Sequence, residues 1–194
     1  MPRPQEATPQ RTQHATNLVW LDLEMTGLEV ESHVILQAAL IVTDTELRPL
    51  EQFCCDIWQP ENALARMSPF VRDMHEKTGL LPRVQKSMTD TRRAEQQLLE
   101  IVSGWCPHGA VLCGNSVWQD RKFLDRYMPG LAAYLTYRLL DVSSVKVLAR
   151  TWYGPSAVFA KPSQGEHDAL IDIQNSIAEL AFYRRTLFKA GAQG

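Results

Sequence analysis

The sequence has almost no net charge and no long apolar run, and each of these features marks a large class of proteins. Its 194 residues carry a net charge of −2 and no lysine- or arginine-rich tract. Proteins that grip long duplexes through many phosphates are usually basic. No apolar segment approaches the length of a transmembrane helix. The composition therefore argues against a membrane-spanning helix, and any nucleic-acid ligand is expected to be short.

Cysteines are few and form neither a metal-binding pattern nor a disulfide scaffold. Cys54, Cys55, Cys106 and Cys113 lack C-x-x-C spacing and the density of a secreted disulfide-rich domain. We predict reduced, packed thiols and a cytoplasmic location. Residues 1–16 are polar and contain proline, without the apolar segment of a signal peptide, so they are predicted to be a flexible N-terminal tail.

The remainder has the composition of an ordinary globular domain, with 45% hydrophobic and 22% charged residues. Apolar runs at 18–23, 34–43 and 50–58, separated by short turns, predict an antiparallel meander. The elements predicted after it are helices from Glu61 to Gly79, Ser87–Cys106, from Asn115 or Ser116 to Met128, Val142–Trp152 and His167–Phe188, with strands at Val111–Cys113 and Arg138–Asp141 and a loop at Tyr153–Gly165. This order predicts one α/β domain over 17–190, with a mixed sheet covered by helices, and a flexible end at 191–194.

The first predicted strand carries two acids where a core strand would normally be apolar. Asp22 and Glu24 are two residues apart, so both side chains project from the same face of the strand. Adjacent carboxylates repel one another and lose hydration, and a cation between them relieves both penalties. The following Thr26-Gly27 turn ends the strand at the rim of the sheet. The pair therefore predicts a site for a divalent metal.

Three later residues could complete such a site. Asp120 lies about one turn into a helix on its predicted buried stripe, Asp172 lies at the edge of the apolar stripe of the last helix, and His167 begins that helix. Each has an ordinary structural explanation when taken alone, such as complementing the helix dipole, standing half-exposed on a helix or bonding locally. Asp168 is a rival of Asp172, although capping of the first turn accounts for it.

Considered together, these residues favour metal-dependent chemistry. Four carboxylates without cysteine suit Mg²⁺ or Mn²⁺ rather than zinc. Two such ions roughly 3.5–4 Å apart can clamp the attacking and leaving oxygens of a phosphodiester. A nearby histidine with a pKa near neutrality can take the proton from the attacking water. The residues alone therefore predict metal-assisted phosphodiester hydrolysis.

Longer motifs carry a family resemblance. The pair Asp22-x-Glu24 after a strand, Asp120 within GNSVWQD, and His167 five residues before Asp172 resemble the DEDDh 3′–5′ exonucleases of the RNase H-like superfamily. Within that group, the chain is similar to the oligoribonucleases from about residue 17 to residue 188. The segments that carry this similarity are DLEMTGL (22–28), CGNSVWQDRKFL (113–124), YRLLDVSSVK (137–146) and HDALIDIQNSIAELAFYR (167–184).

The resemblance implies an RNase H-like fold and an assignment of roles. Asp22, Glu24, Asp120 and Asp172 would hold two metal ions, and His167 would be the general base. The substrate would be very short single-stranded RNA, from dinucleotides to about pentanucleotides, cleaved from its 3′ end to nucleoside 5′-monophosphates by a homodimer. The substrate-binding residues implied are Leu28 as a wedge against the bases, Phe70 and His75 in the base pocket, and Ser116, Tyr137 (from the partner subunit), Arg138, Ser143 and Lys146 around the 5′-phosphate.

Two positions depart from the family pattern. Gln37 stands where a glutamate is usual, and Phe70 where a tryptophan is usual. Phenylalanine keeps a smaller stacking face, which would lower base affinity by about 1 kcal/mol. Two alternatives stay open: the same chemistry on longer RNA 3′ ends or on DNA, and a catalytically silent module for nucleotide binding or dimerisation. A comparison of the rates on a dinucleotide and on a longer strand tests the first alternative. Mg²⁺-dependent release of mononucleotides would exclude the second.

Overall fold

A mixed five-stranded sheet organises the chain. In the computed structural model, which describes residues 14–162 and 168–189, the strand order is β3-β2-β1-β4-β5. The first three strands form an antiparallel meander, β4 runs parallel to β1, and β5 runs parallel to β4. The strands are β1 (Leu18–Met25), β2 (Ile35–Thr43), β3 (Pro49–Asp56), β4 (Ala110–Gly114) and β5 (Leu135–Asp141). The predicted α/β class with a mixed sheet flanked by helices is confirmed.

Helices cover both faces of this sheet. One face packs against α4, α5 and α6, and the other against α7 and α8. The helices are α1 (Glu61–Leu64), α2 (Pro69–Lys77), α3 (Leu80–Lys86), α4 (Thr91–Trp105), α5 (Trp118–Tyr127), α6 (Pro129–Tyr134), α7 (Val142–Tyr153) and α8 (Ala169–Thr186). No helix among the described residues is long and apolar enough to cross a membrane.

Alternation along β1 decides where the two acids point. Leu21 and Leu23 pack into the core on the side of α4 to α6. Trp20 packs on the opposite side, in the cluster that includes α7 and α8, and its indole Nε1 donates to Thr43 Oγ1 at 3.1 Å. Because strand side chains alternate, Asp22 and Glu24 share the face of Trp20. The acids of β1 are therefore directed toward α8.

The long helix predicted from Glu61 to Gly79 is broken in two, and a further helix follows it. Ser68 caps α2 by accepting a hydrogen bond from Val71 N–H, and Pro69 occupies the first turn, where its missing N–H costs nothing. Gly79 adopts a left-handed φ of 71° and leads into α3, which the sequence pattern did not predict. Glycine reaches this conformation without a steric penalty, so it can join two helices as well as end one.

The start of the helix that carries Asp120 was also predicted wrongly. Neither Asn115 nor Ser116 caps α5, which begins at Trp118. Ser116 has a positive φ of 51°, and the Asn115 amide donates to Ser176 and Glu179 of α8. The Asn115 side chain therefore bonds to the buried carboxylate of Glu179 instead of capping α5. The short helix α6, which starts at a proline directly after α5, was not predicted either.

Candidate active site

Three carboxylates meet at the end of β1. Oxygen atoms of Asp22, Glu24 and Asp172 all lie within 4.8 Å of one another. The first two come from β1, and the third comes from the first turn of α8. The rival Asp168 instead caps α8, where its Oδ1 accepts from Leu170 N–H at 3.1 Å. The structure thus brings together acids that are about 150 residues apart in the chain.

The electrostatics of this cluster call for a cation. Burial, with the charge of Asp172 second, raises the pKa of Asp22 to about 7. Burial and the charge of Asp22 raise the pKa of Glu24 to about 8. Lys161 Nζ lies 2.6 Å from Asp172 Oδ1 and lowers both pKa values without cancelling the shift. An all-oxygen, mutually repelling donor set in which Glu24 is buried and the two aspartates are half-buried fits a hard divalent metal ion.

Asp120 lies beside this cluster and has a second contact. Its carboxylate is buried, and Oδ1 accepts a hydrogen bond from Leu23 N–H at 3.0 Å. Burial and the charge of Asp22 raise its pKa well above the usual range. Asp120 does not belong to the group of Asp22, Glu24 and Asp172, whose oxygen atoms lie within 4.8 Å of one another. One oxygen therefore ties α5 to β1, while the charge of the carboxylate adds to the field at Asp22.

The raised pKa values predict that the protein without metal loses stability as the pH rises. Asp22 and Glu24 have folded-state pKa values of about 7 and about 8, above the values near 4 expected in the unfolded chain. The folded state therefore binds more protons between about pH 4 and pH 8, and the free energy of unfolding falls across this window. Thermal unfolding in chelator at a series of pH values measures this slope. Glu24→Gln should flatten it, and a free energy of unfolding that rises with pH across the window would contradict the assignment.

His167, the predicted general base, lies outside the described residues. The described part of α8 begins with the cap at Asp168, and Asp172 follows in its first turn. The role of His167 therefore stays a prediction from the sequence.

Three of the residues predicted to bind a 5′-phosphate lie together at the start of α7. Ser116 N–H donates to Ser143 Oγ at 3.0 Å, and the two hydroxyls are 3.2 Å apart. Lys146 Nζ lies one turn further along and 3.0 Å from Glu179 Oε1. Asn115 links the two groups, because its Oδ1 accepts from Ser143 while its Nδ2 donates to Glu179. Hydroxyl, amide and ammonium donors of this kind suit a phosphate.

The other two phosphate candidates lie on the edge strand β5. Tyr137 is 80% exposed, and the Arg138 guanidinium is 4.7 Å from the centre of its ring. A tyrosine this exposed makes little contact within its own chain. This placement suits a side chain that serves a neighbouring molecule.

The base-pocket candidates fall into exposed and buried groups. Leu28 and Phe70 are 68% and 75% exposed, so both can contact a ligand. Gln119 of α5 donates to the Leu28 carbonyl, and this bond fixes the loop after β1. His75, by contrast, is fully buried, and its Nε2 is 3.0 Å from the Met25 carbonyl oxygen. His75 thus supports the end of β1, and its place in the base pocket stays a prediction from the sequence.

The structure also identifies two site residues that the sequence patterns did not indicate. Lys161, the partner of Asp172, lies in a segment predicted only as a loop, and no local pattern distinguishes it. Glu179 is almost fully buried and accepts from Asn115, Tyr183 and Lys146. Its spacing of three to four residues from Ser176 and Tyr183 on one helix face was the available signal.

Comparisons with known proteins agree with this geometry. Residues 19–180 match the exonuclease family RNase_T. The chain belongs to this exonuclease family. The predicted membership of the DEDDh exonucleases and the predicted enzyme class are thereby confirmed.

Within the family, the similarity is to oligoribonucleases. The oligoribonuclease of Francisella tularensis is 46% identical over 177 residues, which are 90% of this chain and 98% of that protein. The oligoribonuclease of Vibrio cholerae is 46% identical over 175 residues, 89% of this chain and 96% of that protein. The predicted similarity to oligoribonucleases is confirmed across nearly the whole chain.

Solved structures confirm the RNase H-like fold. Exonuclease I from Methylocaldum szegediense superposes with a TM-score of 0.71 at 18% identity, covering 88% of this chain and 41% of that one. E. coli exonuclease I in complex with a 5cy-dT13 oligonucleotide has a TM-score of 0.69 at 14% identity, covering 90% of this chain and 42% of that one. The chain thus spans about two fifths of their length. At these identities the likeness is one of fold.

Proposed function

We propose that the chain is a 3′–5′ exoribonuclease that hydrolyses very short oligoribonucleotides, dinucleotides above all, to nucleoside 5′-monophosphates. The cluster of Asp22, Glu24 and Asp172 carries the proposal, because three neighbouring carboxylates, one buried and two half-buried, repel one another and suit metal-assisted hydrolysis. The similarity to oligoribonucleases over 90% of the chain supports the choice of substrate.

Two divalent ions, Mg²⁺ or Mn²⁺, would be held by the cluster together with Asp120. When bound, such ions lower the pKa of a water molecule and neutralise the charge that develops on the phosphate and the leaving oxygen. Asp120 keeps one oxygen on Leu23 N–H, which leaves the other oxygen for an ion. Lys161 holds the carboxylate of Asp172 in place through the contact at 2.6 Å.

The remaining residues would bind and orient the RNA. His167 would accept the proton of the attacking water. Leu28 would wedge against the bases with Phe70 across from it, and both side chains are exposed. Ser116, Ser143 and Lys146, with Tyr137 and Arg138, would bind the terminal 5′-phosphate. A pocket that closed around that phosphate would limit the length of the substrate and would therefore favour dinucleotides.

The alternative is the same hydrolysis on longer RNA or on DNA. Its support is the similar fold of E. coli exonuclease I, whose structure was solved in complex with a 5cy-dT13 oligonucleotide. A longer strand would need a path past the phosphate donors of α7, and the sequence has no lysine- or arginine-rich tract that would bind its backbone.

A comparison of cleavage rates tests the preference for short substrates. Initial rates on a 5′-phosphorylated dinucleotide and on a single-stranded RNA of about ten nucleotides are compared in Mg²⁺. We expect much faster cleavage of the dinucleotide. Only a dinucleotide would place its 5′-phosphate on the phosphate-binding residues while its phosphodiester bond lies at the carboxylate cluster. Equal or faster cleavage of the longer RNA would overturn the proposed preference. Absence of metal-dependent mononucleotide release on either RNA or DNA would favour a silent binding module.

We also propose that the active unit is a homodimer in the cytoplasm. The edge strand β5 and the helix α7 that follows it present an apolar surface, including Tyr137, Leu148 and Trp152. Leu148 and Trp152, four residues apart on α7, are both exposed, Trp152 by 67%. Apolar patches of this kind commonly mark protein interfaces. Free cysteines among the described residues are consistent with a reducing compartment.

A complementation experiment tests the dimer. If Tyr137 serves the site of the partner subunit, Tyr137→Ala and Asp120→Asn proteins should each be weak on dinucleotides. After mixing and subunit exchange, activity should return, because one site of each mixed dimer has its own Asp120 and the other subunit's Tyr137. Sedimentation checks that mixed dimers form. Failure to recover activity in confirmed mixed dimers would show that Tyr137 acts within its own subunit.

A further inference from the structure

A row of polar side chains crosses three strands beside the carboxylate cluster. Glu24 of β1 pairs in register with Gln37 of β2, and Gln37 pairs with Asp56 of β3. Residues in register on neighbouring strands project from the same face, so all three point toward the α8 side of the sheet. Gln37 is the central member of the row and is 3% exposed. A buried amide at this place must have hydrogen-bond partners.

The Gln37 amide makes one hydrogen bond as a donor and one as an acceptor. Its Nε2 donates to Asp56 Oδ1 at 2.7 Å, and its Oε1 accepts from Ala169 N–H at 3.2 Å. Asp56 is held in turn by Arg83 Nε at 2.9 Å. A carboxylate at position 37 could accept from Ala169 but could not donate to Asp56, and an apolar side chain could do neither. Only an amide makes both bonds, which joins β3 to the first residue of α8.

The bond to Ala169 completes the first turn of α8. The Asp168 side chain accepts from the N–H groups of Leu170 and Ile171, and Gln37 accepts from the one before them. The first N–H groups of a helix have no partner within the helix, so outside acceptors decide where the helix begins. Asp172 lies in this same first turn.

We propose that Gln37 is a positioning residue that fixes the start of α8 on the sheet and thereby holds the Asp172 carboxylate against Asp22 and Glu24. The inference rests on the proposed metal site. It concerns the affinity of the site for an ion and not the chemistry of the substrate.

Metal binding to four variants tests the role. Mn²⁺ titration by calorimetry, without RNA, is compared for the wild type and for Gln37→Met, which keeps the length of the side chain and removes both bonds. We expect Mn²⁺ affinity to fall about tenfold, as for the loss of one or two hydrogen bonds at a buried site. Hydrogen exchange at residues 169–171 should accelerate in the same variant. Gln37→Glu keeps the acceptor for Ala169 but loses the donor to Asp56, so its Mn²⁺ affinity should exceed that of Gln37→Met.

Gln59→Met is the matched control. The Gln59 amide also makes a half-buried bond, from Nε2 to the Ile35 carbonyl at 2.8 Å, and its hydrogen bonds go to Ile35 and Thr91 rather than to α8. We expect some loss of stability in this control with unchanged Mn²⁺ affinity. Wild-type affinity in Gln37→Met, a loss in Gln37→Glu as large as in Gln37→Met, or an equal loss in Gln59→Met would each overturn the role of Gln37. If Asp22→Asn also bound Mn²⁺ like the wild type, the metal site itself would be wrong.

Discussion

Asp120→Asn is expected to lower the rate of dinucleotide hydrolysis by about a hundredfold or more while the fold stays intact. Removing one element of electrostatic stabilisation typically costs about this much in rate. The amide keeps an oxygen that can accept from Leu23 N–H, the contact now made at 3.0 Å by Oδ1, so the junction of α5 with β1 is retained. What the variant lacks is the negative charge that a metal ion requires.

Stability measurements separate this loss from unfolding. Burial and the charge of Asp22 raise the pKa of Asp120, which means that its charged form is unfavourable in the metal-free protein. The neutral amide should therefore leave the melting temperature in chelator unchanged or higher. Asp125→Asn on the same helix is the control, because its carboxylate is exposed and pairs with Arg121. Activity above about a tenth of wild type in Asp120→Asn would contradict its role as a metal ligand.

His167→Ala is expected to slow hydrolysis by about 10²–10⁴-fold and to change the pH dependence of the rate. The unperturbed pKa of a histidine lies near 6.5, so a histidine base produces a rise in rate through that region. The variant should lose this rise. Rate profiles between about pH 5 and pH 9 at saturating Mg²⁺ measure the change.

The exposed His108 supplies the comparison for this experiment. His108→Ala should keep both the rate and the pH profile of the wild type. If His167→Ala also kept the wild-type profile, another group would have to accept the proton. Metal affinity should stay near that of the wild type in His167→Ala, because the cluster of Asp22, Glu24 and Asp172 is unchanged.

Much of the fold was predictable because its signals are local. Three apolar runs with short turns indicated the antiparallel meander, and the strands of the structure differ from those runs only at their ends. The errors arose where a distant group replaced a local one. Asn115 looked like a helix cap, but its amide reaches Glu179, 64 residues away, and α5 starts later. Gly79 looked like the end of a helical region, but it connects two helices.

The candidate site shows the same division. The alternation of β1 required that Asp22 and Glu24 share a face, and the repulsion of two charges in a core strand was enough to indicate a cation. The burial of His75 against the Met25 carbonyl could not be predicted, since a histidine on a short helix has no pattern that distinguishes a ligand contact from a backbone contact.

The sequence by itself determined the fold class, the charged pair on β1 and the residue types available for metal-assisted hydrolysis, since these depend on periodicity and composition. Only the tertiary structure decided that Asp172 joins the pair, that Asp120 bonds to Leu23, and that Gln37 accepts from Ala169. The last contact joins residues 132 positions apart. Such contacts depend on strand register and helix placement, which result from the packing of the whole chain and which no local pattern encodes.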